Sequence, residues 1–187
     1  MVKKLDAQFF KNFIASKLKH ATSMPRGFYV AQEDLYGFKK VKTYVPNADP
    51  HIVISPHKPF GRSLADQSSN RQYGTNYYNR EDAIANLIIP KGAFIYLNYR
   101  IQFQEGESHV KIRASKAKLH SIVRISDQKQ VVFARSKYDS AYTYDNPKFL
   151  GKESELILPD QFSDHPGVCE SGIHFFLDIE SALNYSQ

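Results

Sequence analysis

The feature that most narrows the possible folds is a run of β-rich segments in the second half of the chain. "AIANLIIP" (83–90), "AFIYLNYRIQFQ" (93–104), "HVKIRASKAKLHSIVRIS" (109–126) and "QVVFARSKY" (130–138) are dense in branched and aromatic residues. Such residues suit a pleated, half-buried surface. Turn formers at Pro90-Lys91-Gly92 and Glu105-Gly106 separate them, as hairpin chemistry requires. Within "FIYLNYRIQF" the residues Tyr99, Ile101 and Phe103 share one side of an expected strand. "GIHFFL" (172–177) reads as the last strand, and "DIESALNYSQ" as a short helix with Asp178 as its N-cap.

Helices are expected only at the two ends. In "MVKKLDAQFFKNFIASKLKH", Leu5, Phe9, Phe13 and Leu18, supported by Phe10 and Ile14, form an apolar stripe at helical spacing. Lysines occupy the rest of the wheel, so the helix either docks on the domain or serves a membrane surface or a partner. "GFYV" and "GFKKVKTYV" are strand-like. Prolines and polar turn formers then dominate about 46–80, which reads as a long loop apart from "HIVIS". Strands in a run with terminal helices give an α+β class with a mostly antiparallel sheet. The expected organisation is an amphipathic helix over 1–24 packed on one α+β domain over 25–187.

A chain of 187 residues suits one such domain, and its 42% hydrophobic content argues against disorder. Its 25 Lys and Arg exceed the 19 Asp and Glu by six, which favours anionic partners. One cysteine forbids an internal disulfide, which fits a reducing, cytoplasmic compartment. No stretch is apolar enough for a membrane span, and lysines with Asp6 interrupt what would be a signal-peptide core. The histidines are scattered and no metal-ligand spacing is met, so no metal is expected.

The order of "LIIPKGA" (87–93), "RASKAKLHSI" (113–122), "ARSKYDSAYTY" (134–144), "LPDQF" (158–162) and "CESGIHFFLDIESALNY" (169–185) resembles an uncharacterised domain of giant-virus and bacterial proteins. That domain is often linked to pentapeptide repeats, and "YGFKKV" (36–41) is an outlying first element of the similarity. The resemblance implies a common fold and no particular activity; it places an effector of this kind in a host cell. Ile112 stands where members of that family carry a cysteine, which argues against a required pair with Cys169. A second, shorter similarity is to the ADP-ribosyltransferase fold: "GIHFFLDIESALNY" looks like its strand-to-helix step, with His174 in place of a tyrosine. That resemblance would imply NAD as cofactor; otherwise no cofactor is expected.

Three constellations carry the candidate chemistry. His174, Cys169 and Tyr185 in the closing stretch are the catalytic candidates: an imidazole can serve as a base and a thiol as a nucleophile. The bland alternatives are a histidine ring beside Phe176 bonded to a loop, and a cysteine packed as a small hydrophobe. Lys111, Arg113, Lys116, Lys118, His120 and Arg124 gather within fourteen positions. A bulge near Ser115 would keep all six facing solvent as a phosphate-binding stripe, with Tyr138, Tyr142 and Tyr144 beside it for stacking. Otherwise the stripe is a solvated sheet face. Arg62, Arg71, Arg80, Tyr73, Tyr77 and Tyr78 are Arg-Tyr loop groups of the kind binding surfaces use.

The function expected from these features is a binding or interaction module for an anionic ligand, nucleic acid or a host macromolecule. The alternative is an ADP-ribosyltransferase-like enzyme acting on a nucleotide cofactor.

Overall fold

The computed structural model of the chain describes residues 5–46, 78–136, 143–151, 153–159 and 161–185. Its architecture is α+β, with two antiparallel sheets, an N-terminal helix and a short C-terminal helix. Five short strands form one sheet in the order β1-β2-β5-β6-β11: β1 (Leu18–His20), β2 (Phe28–Ala31), β5 (Phe94–Tyr96), β6 (Ile112–Ala114) and β11 (Ile173–Phe175). The second sheet runs β10-β7-β4-β3-β8-β9. Its members are β3 (Leu35–Pro46), β4 (Tyr78–Ile89), β7 (Ala117–Arg124), β8 (Phe133–Ser136), β9 (Thr143–Asp145) and β10 (Leu156–Ile157).

The pair β3–β4 is the spine, in register from Leu35 opposite Ile89 to Pro46 opposite Tyr78. Strand alternation explains the core: Ala83, Ala85, Leu87 and Ile89 of β4 all point inward and are buried, as does Val41 of β3. Because the ladder reaches Pro46 and starts again at Tyr78, both ends of the expected 46–80 loop belong to strands; the remainder lies outside the described residues. At the far end of β7, Arg124 N–H donates to Lys129 O and Val131 N–H to Ile122 O. These bonds join β7 to the segment entering β8, which itself pairs with β3. The strands β3, β4, β7 and β8 thereby curl toward closure.

Helix α1 (Ala7–Lys17) begins at Asp6, whose carboxylate accepts from Phe9 N–H at 2.8 Å. It docks on the domain through Phe10, which is buried and stacks on Tyr99 with ring centroids 5.6 Å apart. The expected contact face is corrected in two places. Phe9 remains 38% exposed, and Leu18 is buried as the first residue of β1 rather than in the helix.

Two further expectations change. The strand expected over 94–103 stops at Tyr96, because the Asn98 side chain accepts from Ile101 N–H and opens helix α2 (Tyr99–Gln104). Helical spacing then turns Tyr99 and Gln102 inward. The expected single strand over 109–126 divides at Ser115-Lys116 and serves both sheets. Ser115 marks the crossing: its N–H donates to Phe94 O and its hydroxyl accepts from Phe94 N–H. The bulge lies further along, at His120, since Leu87 faces Leu119 while Asn86 faces Ser121.

The closing stretch follows the expected order. Strand β11 pairs with β6; after the short helix α3 (Pro147–Leu150) earlier in the chain, Asp178 caps helix α4 (Ile179–Asn184) through Ser181 N–H at 2.7 Å. Ile173 and Phe175 are buried; Leu177 is half-buried and Phe176 is buried on the opposite side. No helix among the described residues is long and apolar enough to cross a membrane.

Candidate functional site

The register of β11 against β6 places His174 directly opposite Arg113. Arg113 is fully buried. Its guanidinium donates to three carbonyls of the loop before β11: Ser171 O at 2.7 Å, His165 O at 2.8 Å and Ser163 O at 3.2 Å. The rings of Tyr96, Phe162 and Phe28 surround it at 4.7, 5.4 and 5.8 Å. A planar fork of donors suits this task, and aromatic faces replace part of the lost hydration. Burial holds its pKa below the ordinary value, against opposing effects from Tyr96 and Glu170.

Lys111 sits one residue before β6 and is 9% exposed. Gln102 of α2 fixes its backbone from both sides, accepting from Lys111 N–H at 2.7 Å and donating to Lys111 O at 3.0 Å. The ammonium donates to Tyr185 OH at 2.8 Å and lies 3.4 Å from Cys169 Sγ. Burial works to lower its pKa, but Tyr185 and Cys169 more than offset this, so the group stays charged above the usual lysine range. Neither Lys111 nor Arg113 has a carboxylate within ion-pair distance among the described residues.

His174 feels both cations. Burial depresses its pKa first, and Lys39, Lys111 and Arg113 push it further, to about 3; a bond to the Val168 backbone opposes them. The Lys39 ammonium lies 3.4 Å from His174 O. The imidazole is therefore neutral at physiological pH, and its Nε2 is buried without a hydrogen-bond partner among the described residues.

The candidates thus regroup. Lys111, 58 residues before Cys169 in sequence, meets Cys169 and Tyr185 of the closing stretch, and its charge reaches His174. Cys169 is exposed rather than packed in the core, and Tyr185 is half-buried against Phe176 at 5.0 Å. The solvent-facing stripe is corrected: Lys111 and Arg113 turn inward because their stretch belongs to the other sheet. Lys116 is half-buried at the crossover, Lys118 is exposed on β7 and His120 is half-buried at the bulge. Arg124 is engaged with Asp127 through two N–H groups. Arg62, Arg71, Tyr73, Tyr77, Tyr138 and Tyr142 lie outside the described residues. Of Tyr78 and Arg80 only the backbone, in β4, is described, and Tyr144 is buried in β9.

Lys39, Gln102 and the loop carbonyls were not apparent from the sequence. Lys39 left one trace: it shares the inward parity of Leu35, Gly37, Val41 and Thr43 on β3. A lysine at an apolar position signals an interior charge.

A family model described as a family of unknown function, DUF5758, matches residues 30–182, and the chain belongs to that family. The match takes in Tyr36 to Val41 and begins well before the 87–185 stretch that carried the sequence resemblance. No curated protein and no solved structure matches the chain.

Proposed function

We propose that this member of the family is a binding module for an anionic ligand, drawn to the cations around His174. One observation carries the reading: Lys39, Lys111 and Arg113 all act on one neutral imidazole, while Lys111 and Arg113 lack a carboxylate partner among the described residues. Uncompensated charge in a partly desolvated setting is costly, and a bound anion relieves that cost through charge-assisted hydrogen bonds. Arg113 is committed to loop carbonyls, so its part is electrostatic and structural. Cys169 is exposed, and the Lys111 ammonium lies between its thiol and the Tyr185 hydroxyl. Phosphate or carboxylate groups fit these donors, whether on a nucleotide or on a host nucleic acid.

The test is binding of a fluorescein-labelled single-stranded oligonucleotide across a salt series. Wild-type affinity should fall as salt rises, through counterion release. Lys111→Met, with an unchanged melting transition, should weaken binding at least about tenfold, the size expected for losing a charged hydrogen bond. Competition by inorganic phosphate or NAD would define the ligand class. Binding that is indifferent to both Lys111→Met and Lys39→Met would overturn the proposal.

A further inference from the structure

Strand β10 is the outer member of the six-stranded sheet: it pairs with β7 and has no partner on its other side among the described residues. Edge strands present an unpaired row of backbone donors and acceptors. Native chains commonly blunt them with charge or proline, and here Pro159 confines the open edge to the residues around Leu156 and Ile157. The edge is nevertheless apolar: Leu156 is 47% exposed and Leu158 59%. Register also makes Leu156 the end of a row across four strands. Tyr36 faces Ile88, Ile88 faces Lys118 and Lys118 faces Leu156, so the four share one sheet face, and Tyr36 and Lys118 are exposed as well.

Beside this edge, the connection from β9 to β10 encloses a cleft of about 170 Å³. Leu119, Tyr144 and Leu150 give it apolar walls, and Asp145, Glu153 and Glu155 lie along it. None of the three carboxylates forms an ion pair with a described residue. On a chain with a net charge of +6, the described lining of this cleft carries acidic side chains and no basic one. Ser154 donates to Leu119 O at 2.6 Å and secures the segment against β7.

We infer that β10 and this cleft form a docking surface for an extended segment of a partner protein that alternates apolar residues with Lys or Arg. Such a segment adds a strand to β10. Its apolar residues extend the row ending at Leu156. Its cationic residues, on the opposite side by strand alternation, lay their methylene stems along the exposed Leu150 and bring their charges to the carboxylates. Charge complementarity selects this occupant over an acidic or neutral one. The surface is separate from the cations around His174.

The experiment uses the full chain and an acetylated hexapeptide alternating leucine and lysine, followed by fluorescence anisotropy at low salt. A leucine-glutamate peptide and an alternately N-methylated version of the first serve as controls. The lysine peptide should bind at least about tenfold more tightly than either control, even though the net charge of the chain opposes it. The double variant Glu153→Lys/Glu155→Lys, which alters exposed residues, should remove that preference without shifting the melting transition. Equal binding of the lysine and glutamate peptides, or an unaffected double variant, would refute the site. Retained affinity of the N-methylated peptide would refute strand addition. Sedimentation of the chain alone gives the remaining outcome: self-association abolished by the double variant would mean that a second copy covers the edge, and the partner assignment would be wrong.

Discussion

A β-carbon on Gly37 of β3 would lie 2.4 Å from Cδ2 of Phe175, inside the ring's contact distance. The glycine is the recess into which β11 sets its aromatic ring, and it joins the two sheets at one point. Gly37→Ala should therefore destabilise the fold by about 1–3 kcal/mol, as overpacking does, and Phe175→Ala by about 3–5 kcal/mol. In a double-mutant cycle the two changes should couple by more than about 0.5 kcal/mol. Strict additivity in urea denaturation would show that ring and recess do not meet.

Arg113 predicts a contrast between two cations. Arg113→Lys keeps the charge but loses the fork that reaches Ser163, His165 and Ser171, and should cost about 2–4 kcal/mol. The loop should also become more sensitive to limited proteolysis between Ser163 and Ser171. A change below about 1 kcal/mol with no new cleavage would mean that the loop is held by other contacts.

For His174 the sign of the pH effect follows from its lowered pKa. The folded ring stays neutral down to about pH 3, whereas in the unfolded chain it takes a proton near 6.5. The unfolded state therefore binds more protons between those values, and stability falls as pH drops through that window. The slope from this group is at most about 1.4 kcal/mol per pH unit, and it vanishes above the unfolded value. His174→Gln should show a shallower decline than wild type between about pH 6 and pH 4. Parallel curves would place the ring in contact with water.

Two neighbouring phenylalanines separate docking from exposure in α1. Phe10 stacks on Tyr99 and meets Phe103 edge-on at 6.0 Å, so Phe10→Ala should cost about 3–5 kcal/mol. Phe9→Ala, at an exposed position, should cost under about 1 kcal/mol. Equal, small effects in thermal melts would mean that the helix is not anchored to the domain.

Local chemistry made much of this fold legible. The branched residues of "AIANLIIP" and the turn that follows mark β4 as a strand whatever pairs with it, and Asp178 caps α4 through a bond spanning three residues. The helical stripe of α1 was likewise visible, but its phase was less secure: Phe9, Phe10 and Phe13 are chemically alike, and only Tyr99 and Phe103 decide that Phe10 turns inward.

The site was far less legible, because its members are joined by pairing between distant segments. A continuous basic stretch such as "VKIRASKAKLH" carries no local mark of the sheet to which each part belongs. Sequence alternation by itself determined that strands would form there. Only the tertiary structure decided that Ser115 would cross between sheets, since its partner is Phe94. That crossing buries Lys111 and Arg113 while leaving Lys118 in water. Their burial is tolerable only because Gln102, Tyr185 and the loop carbonyls arrive from elsewhere in the chain to meet them. Alternation is a property of neighbouring residues, whereas the desolvation of a charge depends on every segment that closes over it.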